Sequence, residues 1–214
     1  MERCLGGLRI LPGRETELDA RIASAPHDLG AALARAGLRD VTMFRLGTDA
    51  WLYAQATPDR ATALAMLAAD PDYAAWLAGM RDVLTDAAAP EPLTWFEQVF
   101  HTDGAPLAGP AERGLFSLVI DPRRSSEYDD LHAHPWEEMI DAIHAAGYRD
   151  YSGFRHGANV VYVGRYHPDM ATVLARIAET EVAERWGRAL EGVIVAITDA
   201  EGRHFIGCEI FHQD

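Results

Sequence analysis

Residues 37–47 read Gly-Leu-Arg-Asp-Val-Thr-Met-Phe-Arg-Leu-Gly, and residues 147–157 read Gly-Tyr-Arg-Asp-Tyr-Ser-Gly-Phe-Arg-His-Gly. Both flanking glycines, the Arg-Asp pair and the Phe-Arg pair recur at a constant separation of 110 residues. Internal similarity at a fixed separation is the mark of a repeated structural unit. These two segments therefore indicate a duplication within the chain.

The same separation of 110 residues relates positions along most of the 214-residue chain. Further matched pairs are Leu5/Leu115, Leu8/Leu118, Ile10/Ile120, Pro12/Pro122, Glu17/Glu127, Asp19/Asp129, Asp59/Asp169 and Trp76/Trp186. With one residue of slippage, Val99-Phe100-His101 pairs with Ile210-Phe211-His212. We predict two modules, 1–103 (the first repeat) and 111–214 (the second repeat), joined by a Gly- and Pro-containing linker near 102–110.

The second repeat predicts the order βαββαβ. The predicted elements are a strand at 113–120, a helix at 125–146, strands at 148–155 and 159–167, a helix after Pro168 that 180–184 interrupts, and a strand at 204–212. Ser125 or Ser126 is the predicted N-cap, and Gly147 the helix terminator. This order is typical of a ferredoxin-like α+β module. We expect the two bare sheet faces to pack together as an intramolecular dimeric α+β barrel.

Composition excludes several functional classes. The net charge of −14 argues against nucleic acid and anionic membranes as partners. All 19 basic residues are Arg, so a lysine Schiff base and a P-loop lysine are excluded. The N-terminal residues lack the apolar stretch of a signal peptide, and the apolar runs are too short to span a bilayer. A cytoplasmic protein is expected.

A candidate site lies on the predicted first helix of the second repeat. Tyr128, His132 and Trp136 are spaced four residues apart, so a single helix would place them on one face. The matched first-repeat residues are Leu18, Ile22 and Pro26, and Tyr151 is matched by Val41. The scaffold therefore does not require these polar and aromatic groups. This difference favours a ligand site in the second repeat over a buried structural histidine.

Other candidates have two readings each. Trp186 has a counterpart in Trp76, so a core role and a pocket role both stay open for it. Arg185 replaces Ala75 and Glu209 replaces Gln98, so each either contacts a ligand or faces solvent. His132 and His134 point to different sides of a helix, and no metal site is predicted.

These residues resemble the L-rhamnose mutarotase family, small proteins of the dimeric α+β-barrel class. The resemblance is carried by Tyr128-x-x-x-His132-x-x-x-Trp136, followed by Tyr151, Arg185-Trp186 and Glu209 through His212. It implies that His132 is the acid/base residue, and that Tyr128, Tyr151 and Trp186 line a sugar pocket. Two departures are Gly187, where the family often has a second Trp, and Ala133-His134, where it commonly has Asn-Pro.

The resemblance implies an isomerase that interconverts the α and β anomers of a deoxysugar such as L-rhamnose by acid/base ring opening. No cofactor or metal is expected. The expected site comprises catalytic His132 with substrate-binding Tyr128, Tyr151, Trp136, Trp186, Arg185 and Glu209. The fused halves predict a monomer whose only partner is the sugar. The alternatives are a non-catalytic sugar- or metabolite-binding protein and, third, a cofactor-free monooxygenase.

Overall fold

The computed structural model describes residues 1–24, 27–85, 93–107, 109–197 and 205–213. Internal contacts divide the chain into an N-terminal unit, Met1–Phe96 with Cys208–Asp214, and a C-terminal unit, Glu97–Gly207. Of the sequence predictions, Pro26, the predicted start of the last strand at His204, and Ala108 of the linker lie outside the described residues. The predicted repeats are units of sequence and stay a prediction.

The N-terminal unit contains an antiparallel sheet with helices packed on it. Its elements are β1 (Glu2–Arg9), α1 (Glu15–Ala23), α2 (His27–Arg35), β2 (Leu38–Leu46), β3 (Asp49–Ala56), α3 (Arg60–Ala68), α4 (Pro71–Met80) and a 3₁₀ turn (Arg81–Val83). β3 lies between β1 and β2. β1 also pairs with residues 94–96, and β2 also pairs with residues 208–213.

The C-terminal unit repeats this arrangement. Its elements are β5 (Glu112–Ile120), a 3₁₀ turn (Pro122–Arg124), α5 (Ser125–Ala133), α6 (Glu137–Ala146), β6 (Tyr148–His156), β7 (Asn159–Tyr166), α7 (Met170–Ala178), α8 (Glu181–Ala189) and β8 (Ile194–Ala196). β7 lies between β5 and β6, and β6 also pairs with residues 97–102. β5 pairs with β8 and with residues 206–207.

Two strands contribute residues to both units: β4 (Thr94–Thr102) and β9 (Ile206–Gln213). Residues 97–102 of the first repeat thus belong to the sheet of the C-terminal unit. Residues 208–213 of the second repeat belong to the sheet of the N-terminal unit.

The predicted α+β class is confirmed, and so are the two central strands of the second repeat, whose observed ends differ from the predicted ones by a single residue. The single predicted helix at 125–146 is wrong. α5 ends at Ala133 and α6 begins at Glu137, because Pro135 cannot donate a helical hydrogen bond and disfavours helix at the preceding residue. The predicted serine N-cap is also wrong, since Arg124 occupies that position.

Gly147 ends α6 as predicted, with φ 108°. A Cβ at this position would strike the carbonyl oxygen of His167. Both the backbone angle and the close approach therefore require glycine.

In each unit the helices cover a core of buried side chains. The N-terminal unit has an aliphatic core that includes Leu18, Ile22, Val41 and Leu52. The core of the C-terminal unit is rich in tyrosine, with Tyr128, Tyr148, Tyr151, Tyr162 and Tyr166. Within the described ranges, no helix has the length and apolarity that crossing a bilayer requires.

Candidate active site

His132 lies in the last turn of α5, with only 7% of its surface exposed. Its Nδ1 lies 2.8 Å from the backbone oxygen of Tyr128, one helical turn earlier. A carbonyl oxygen can only accept, so Nδ1 carries the proton and donates it. In the neutral imidazole, Nε2 is then an acceptor with a free lone pair.

That lone pair faces Tyr162 on β7. The Tyr162 hydroxyl lies 2.6 Å from His132 Nε2 and donates to it. The same hydroxyl is hydrogen-bonded to the Tyr128 hydroxyl, which must donate because the Tyr162 proton is already committed to Nε2. Tyr128, His132 and Tyr162, the Tyr-His-Tyr network, therefore form a chain of hydrogen bonds that all run in one direction, toward the imidazole.

Sequence reasoning did not single out Tyr162. Its position in a strand with alternating side chains is typical of an ordinary core residue. The comparison of repeats contains the signal, because Tyr162 is matched by Leu52 just as His132 is matched by Ile22. Polar groups at all three network positions are therefore specific to the second repeat.

Aromatic rings surround the imidazole. The Tyr128 ring stacks on it with centroids 3.9 Å apart, and Trp186 presents an edge at 5.5 Å. Phe100 presents another edge at 6.2 Å. Tyr151 packs on Tyr162 at 5.1 Å and on Phe100 at 5.4 Å, one ring away from His132. Phe100 comes from the first repeat through β4, and sequence reasoning missed it too.

Trp136 and Arg185 lie at the outer side of this group. The break after α5 takes Trp136 off the helix face of Tyr128 and His132, yet its ring still meets Trp186 at 5.2 Å. The Arg185 guanidinium lies 5.2 Å from the Trp136 ring centroid and forms a 2.9 Å ion pair with exposed Glu138. Trp136 is half-buried and Arg185 exposed.

Glu209 and His132 belong to different units. Glu209 lies in the N-terminal unit, where it is exposed on β9 and pairs with Phe44 of β2. The Tyr-His-Tyr network with Tyr151, Trp136, Trp186 and Arg185 is therefore the set that the C-terminal unit assembles.

The network is uncharged at neutral pH. Burial lowers the pKa of His132, more than the Tyr128 carbonyl and the charge of Asp129 raise it. Burial raises the pKa of the Tyr128 and Tyr162 hydroxyls above their ordinary range, and it does the same for Tyr151. A neutral imidazole beside neutral phenols can accept one proton and donate another, which is the requirement of acid/base chemistry at an uncharged substrate.

The matched region of the N-terminal unit has no such chemistry. Leu18, Ile22, Val41 and Leu52 are all buried there. A small cavity is lined by Leu8, Leu18, Met43, Leu52, Tyr73, Trp76, Leu77, Met80, Leu84 and Leu93. Among the described residues, the buried indole nitrogen of Trp76 finds no hydrogen-bond partner. This region is apolar where the C-terminal unit is polar.

Among the residues that the structure describes, one cluster has ligand atoms close enough together to hold a metal ion. Ligand atoms of His101, Asp103 and Asp150 lie within 4.8 Å of one another. His101 Nδ1 lies 2.9 Å from Ser152 Oγ, and His212 Nδ1 in the N-terminal unit lies 2.9 Å from Thr42 Oγ1. Both repeats keep this contact between a histidine and a hydroxyl group. We therefore interpret the contact as one that anchors β4 to β6 and β9 to β2.

Sequence comparison gives a family match to the second repeat. A sequence profile described as L-rhamnose mutarotase matches residues 113–212. The chain is 30% identical over 91 residues to the L-rhamnose mutarotase of Acidiphilium cryptum, covering 42% of this chain and 86% of that protein. It is 46% identical over 39 residues to the L-rhamnose mutarotase of Paraburkholderia phytofirmans, covering 18% of this chain and only 36% of that protein.

Solved structures match the whole chain at low identity. A putative monooxygenase from Lactobacillus acidophilus aligns with a TM-score of 0.58 at 8% identity, covering 99% of this chain and 94% of that one. A putative monooxygenase from Fusobacterium nucleatum aligns with a TM-score of 0.58 at 10% identity, covering 99% and 93%. At these identities the likeness concerns the fold alone.

Proposed function

Since the chain belongs to the L-rhamnose mutarotase family, we propose that its second repeat interconverts the α and β anomers of a deoxyhexose, with L-rhamnose as the first candidate. The observation that carries the proposal is the buried, neutral His132 within a ring-lined group whose matched residues in the first repeat are aliphatic. A site kept polar in one copy alone indicates selection for chemistry there rather than for folding.

The reaction needs one base and one acid. Mutarotation opens the pyranose when the anomeric hydroxyl loses a proton and the ring oxygen gains one. The aldehyde end then rotates, and the ring closes on its other face. Neutral His132 supplies the base, and the neighbouring phenols supply protons. The rings of Tyr151, Trp136 and Trp186 suit the apolar C–H face and the methyl group of a deoxysugar. Neither a metal nor a redox cofactor is part of this scheme.

We also propose that the chain is a tandem pair of ferredoxin-like modules, in which the first has lost the catalytic residues. Matched structural details support this. Arg45 pairs with Asp19 in the N-terminal unit as Arg155 pairs with Asp129 in the C-terminal unit, each at 2.6 Å. Asp40 and Asp150 both have positive φ, at 52° and 45°. Fusion of two halves that form a barrel would make a monomer sufficient.

Saturation-transfer NMR on L-rhamnose tests the activity. We expect the wild-type protein to accelerate exchange between the anomers, and His132→Ala to lose roughly 10²–10⁴-fold of that acceleration. His134→Ala is the matched control, because His134 lies two residues after His132, directly beyond the end of α5, but is exposed, so the rate of this variant should equal that of the wild type. Equal rates for wild type and His132→Ala would refute the catalytic proposal.

The second candidate is a binding protein that does not turn over its ligand. The observation in its favour is that both nitrogens of His132 are already hydrogen-bonded. Binding of L-rhamnose in isothermal titration without faster exchange would select this alternative. Oxygen consumption with an aromatic substrate would select a monooxygenase. The likeness to the two putative monooxygenases does not support that activity, because it concerns the fold alone.

A further inference from the structure

We propose that His101, Asp103 and Asp150 form a site for a divalent transition-metal ion that ties β4 to β6. This inference goes beyond the proposed mutarotase activity, because the ion takes no step in the ring opening. One imidazole nitrogen and two carboxylate oxygens from these residues all lie within 4.8 Å of one another. A mixed set of one nitrogen and two oxygens suits Zn²⁺, with water at the remaining positions.

Ser152 orients the imidazole toward the two carboxylates. His101 Nδ1 lies 2.9 Å from the Oγ of Ser152, which is fully buried on β6. The other ring nitrogen, Nε2, lies 2.8 Å from Asp103 Oδ1. A metal-binding histidine usually donates its second N–H to a fixed oxygen, which sets the tautomer. The Ser152 hydroxyl can accept that hydrogen bond, so Nε2 keeps its lone pair for the ion.

The charges around the cluster favour a cation. The carboxylates of Asp103 and Asp150 lie close enough together to repel each other. The buried Arg113 guanidinium lies 3.7 Å from Asp150 Oδ2 and offsets one of these charges. His101 offsets the other only when its imidazole is protonated. A divalent ion between the two carboxylates and Nε2 offsets it while the imidazole stays neutral.

The backbone brings the ligands of the two strands together. The Asp150 N–H donates to the backbone oxygen of Asp103 at 3.1 Å, and His101 pairs with Ser152 across β4 and β6. His101 and Asp150 are half-buried and Asp103 is exposed, so solvent reaches one side of the cluster. Two such ligand atoms on one Zn²⁺ lie about 3.0–3.4 Å apart, so the exposed Asp103 needs to shift only slightly from Nε2.

The sequence keeps the same residue types in both repeats. The matched pairs are His101/His212, Asp103/Asp214, Asp150/Asp40 and Ser152/Thr42. Asp214 lies outside the described residues, so the inference concerns the C-terminal unit alone. The acid/base residues differ between the repeats, whereas these do not. The recurrence therefore indicates a role in holding strands together rather than in catalysis.

The strands that the ion joins also carry two rings of the candidate active site. Phe100 precedes His101 on β4, and Tyr151 follows Asp150 on β6. These two rings pack edge to face with centroids 5.4 Å apart. An ion that ties β4 to β6 thus fixes the backbone from which both rings project.

Isothermal titration with Zn²⁺ tests the site on the full chain without an affinity tag. The parent protein and all variants carry Cys208→Ser, because the exposed Cys208 thiol is itself a zinc ligand. We expect His101→Ala to bind one equivalent of Zn²⁺ fewer than the parent, and Ser152→Ala to bind that equivalent about 10–100-fold more weakly. His134→Ala is the matched control, because His134 is an exposed histidine of the same unit outside the cluster, and it should bind like the parent.

Thermal unfolding gives a second measurement. Zn²⁺ should raise the Tm of the parent more than that of His101→Ala, whereas Mg²⁺, which prefers oxygen ligands, should raise neither. If His101→Ala binds as many equivalents as the parent with the same Kd, the proposal is wrong. If Mg²⁺ raises the Tm of the parent as much as Zn²⁺ does, the carboxylates merely attract cations, and the proposal is again wrong. No sugar enters these measurements, so their result is independent of the proposed function.

Discussion

The Tyr-His-Tyr network predicts a specific energetic coupling between His132 and Tyr162. His132→Ile introduces the residue that the first repeat carries at this position, and it leaves the buried Tyr162 hydroxyl without its acceptor. Tyr162→Phe leaves His132 Nε2 without its donor. A buried polar group left without a partner costs about 1–3 kcal/mol. In the double variant this particular mismatch is absent, so the two costs should not add.

We therefore expect the double variant to be more stable than the sum of the single effects by about 1–3 kcal/mol. For a chain of this size, 1 kcal/mol corresponds to about 2–4 °C in Tm. Thermal unfolding followed by circular dichroism measures all four proteins of the cycle. The control cycle combines His132→Ile with Tyr166→Phe, whose hydroxyl does not contact His132, and should be additive. Additivity within about 0.5 kcal/mol in the Tyr162 cycle would refute the hydrogen-bond chain.

Three further predictions follow from burial and backbone geometry. Because burial lowers the pKa of His132, the unfolded chain binds more protons than the folded protein below about pH 6.5. The free energy of unfolding should therefore fall as the pH drops from there toward the folded pKa. Urea unfolding at several pH values should show that this free energy depends less on pH in His132→Ile than in the wild type. Burial raises the pKa of Cys4 to about 12 while Cys208 is exposed, so a thiol reagent should label Cys208 alone until the protein is unfolded. Gly147→Ala should lower Tm measurably, because alanine disfavours φ 108° and its Cβ meets the His167 carbonyl, whereas Gly187→Ala, with open space around its Cβ, should not.

Local features were predictable from the sequence because their causes are local. Gly147 terminates α6, and the strands on either side of Gly157 form where β composition and a turn residue coincide. The helix break at Pro135 was also visible in the sequence, but the four-residue spacing through Trp136 suggested a continuous helix. The proline decided the outcome because it removes a backbone donor, whereas periodicity states only which side chains could share a face.

The composition of the site was predictable in part. Comparison of the repeats identified His132, Tyr128 and Tyr151, whose side chains lie together in the C-terminal unit. The same comparison applied to β7 would have identified Tyr162 from Leu52. Phe100 could not be found this way, because its place depends on which strand β4 joins, and strand pairing over fifty residues leaves no local pattern in the sequence.

Strand β4 places residues of the predicted first repeat in the C-terminal unit, beside the candidate site. Residues 97–102 are encoded in the first repeat but pair with β6 in the C-terminal unit. From that strand, Phe100 packs against both His132 and Tyr151. Under the proposed duplication, the first repeat could lose the acid/base group without loss of the proposed function, because Ile22 and Leu52 pack in the core of the N-terminal unit. The strand that carries Phe100 cannot be lost, because without it the imidazole would lose one of its flanking rings and the burial that keeps it neutral. If the proposed duplication holds, this difference accounts for the retention of the first repeat.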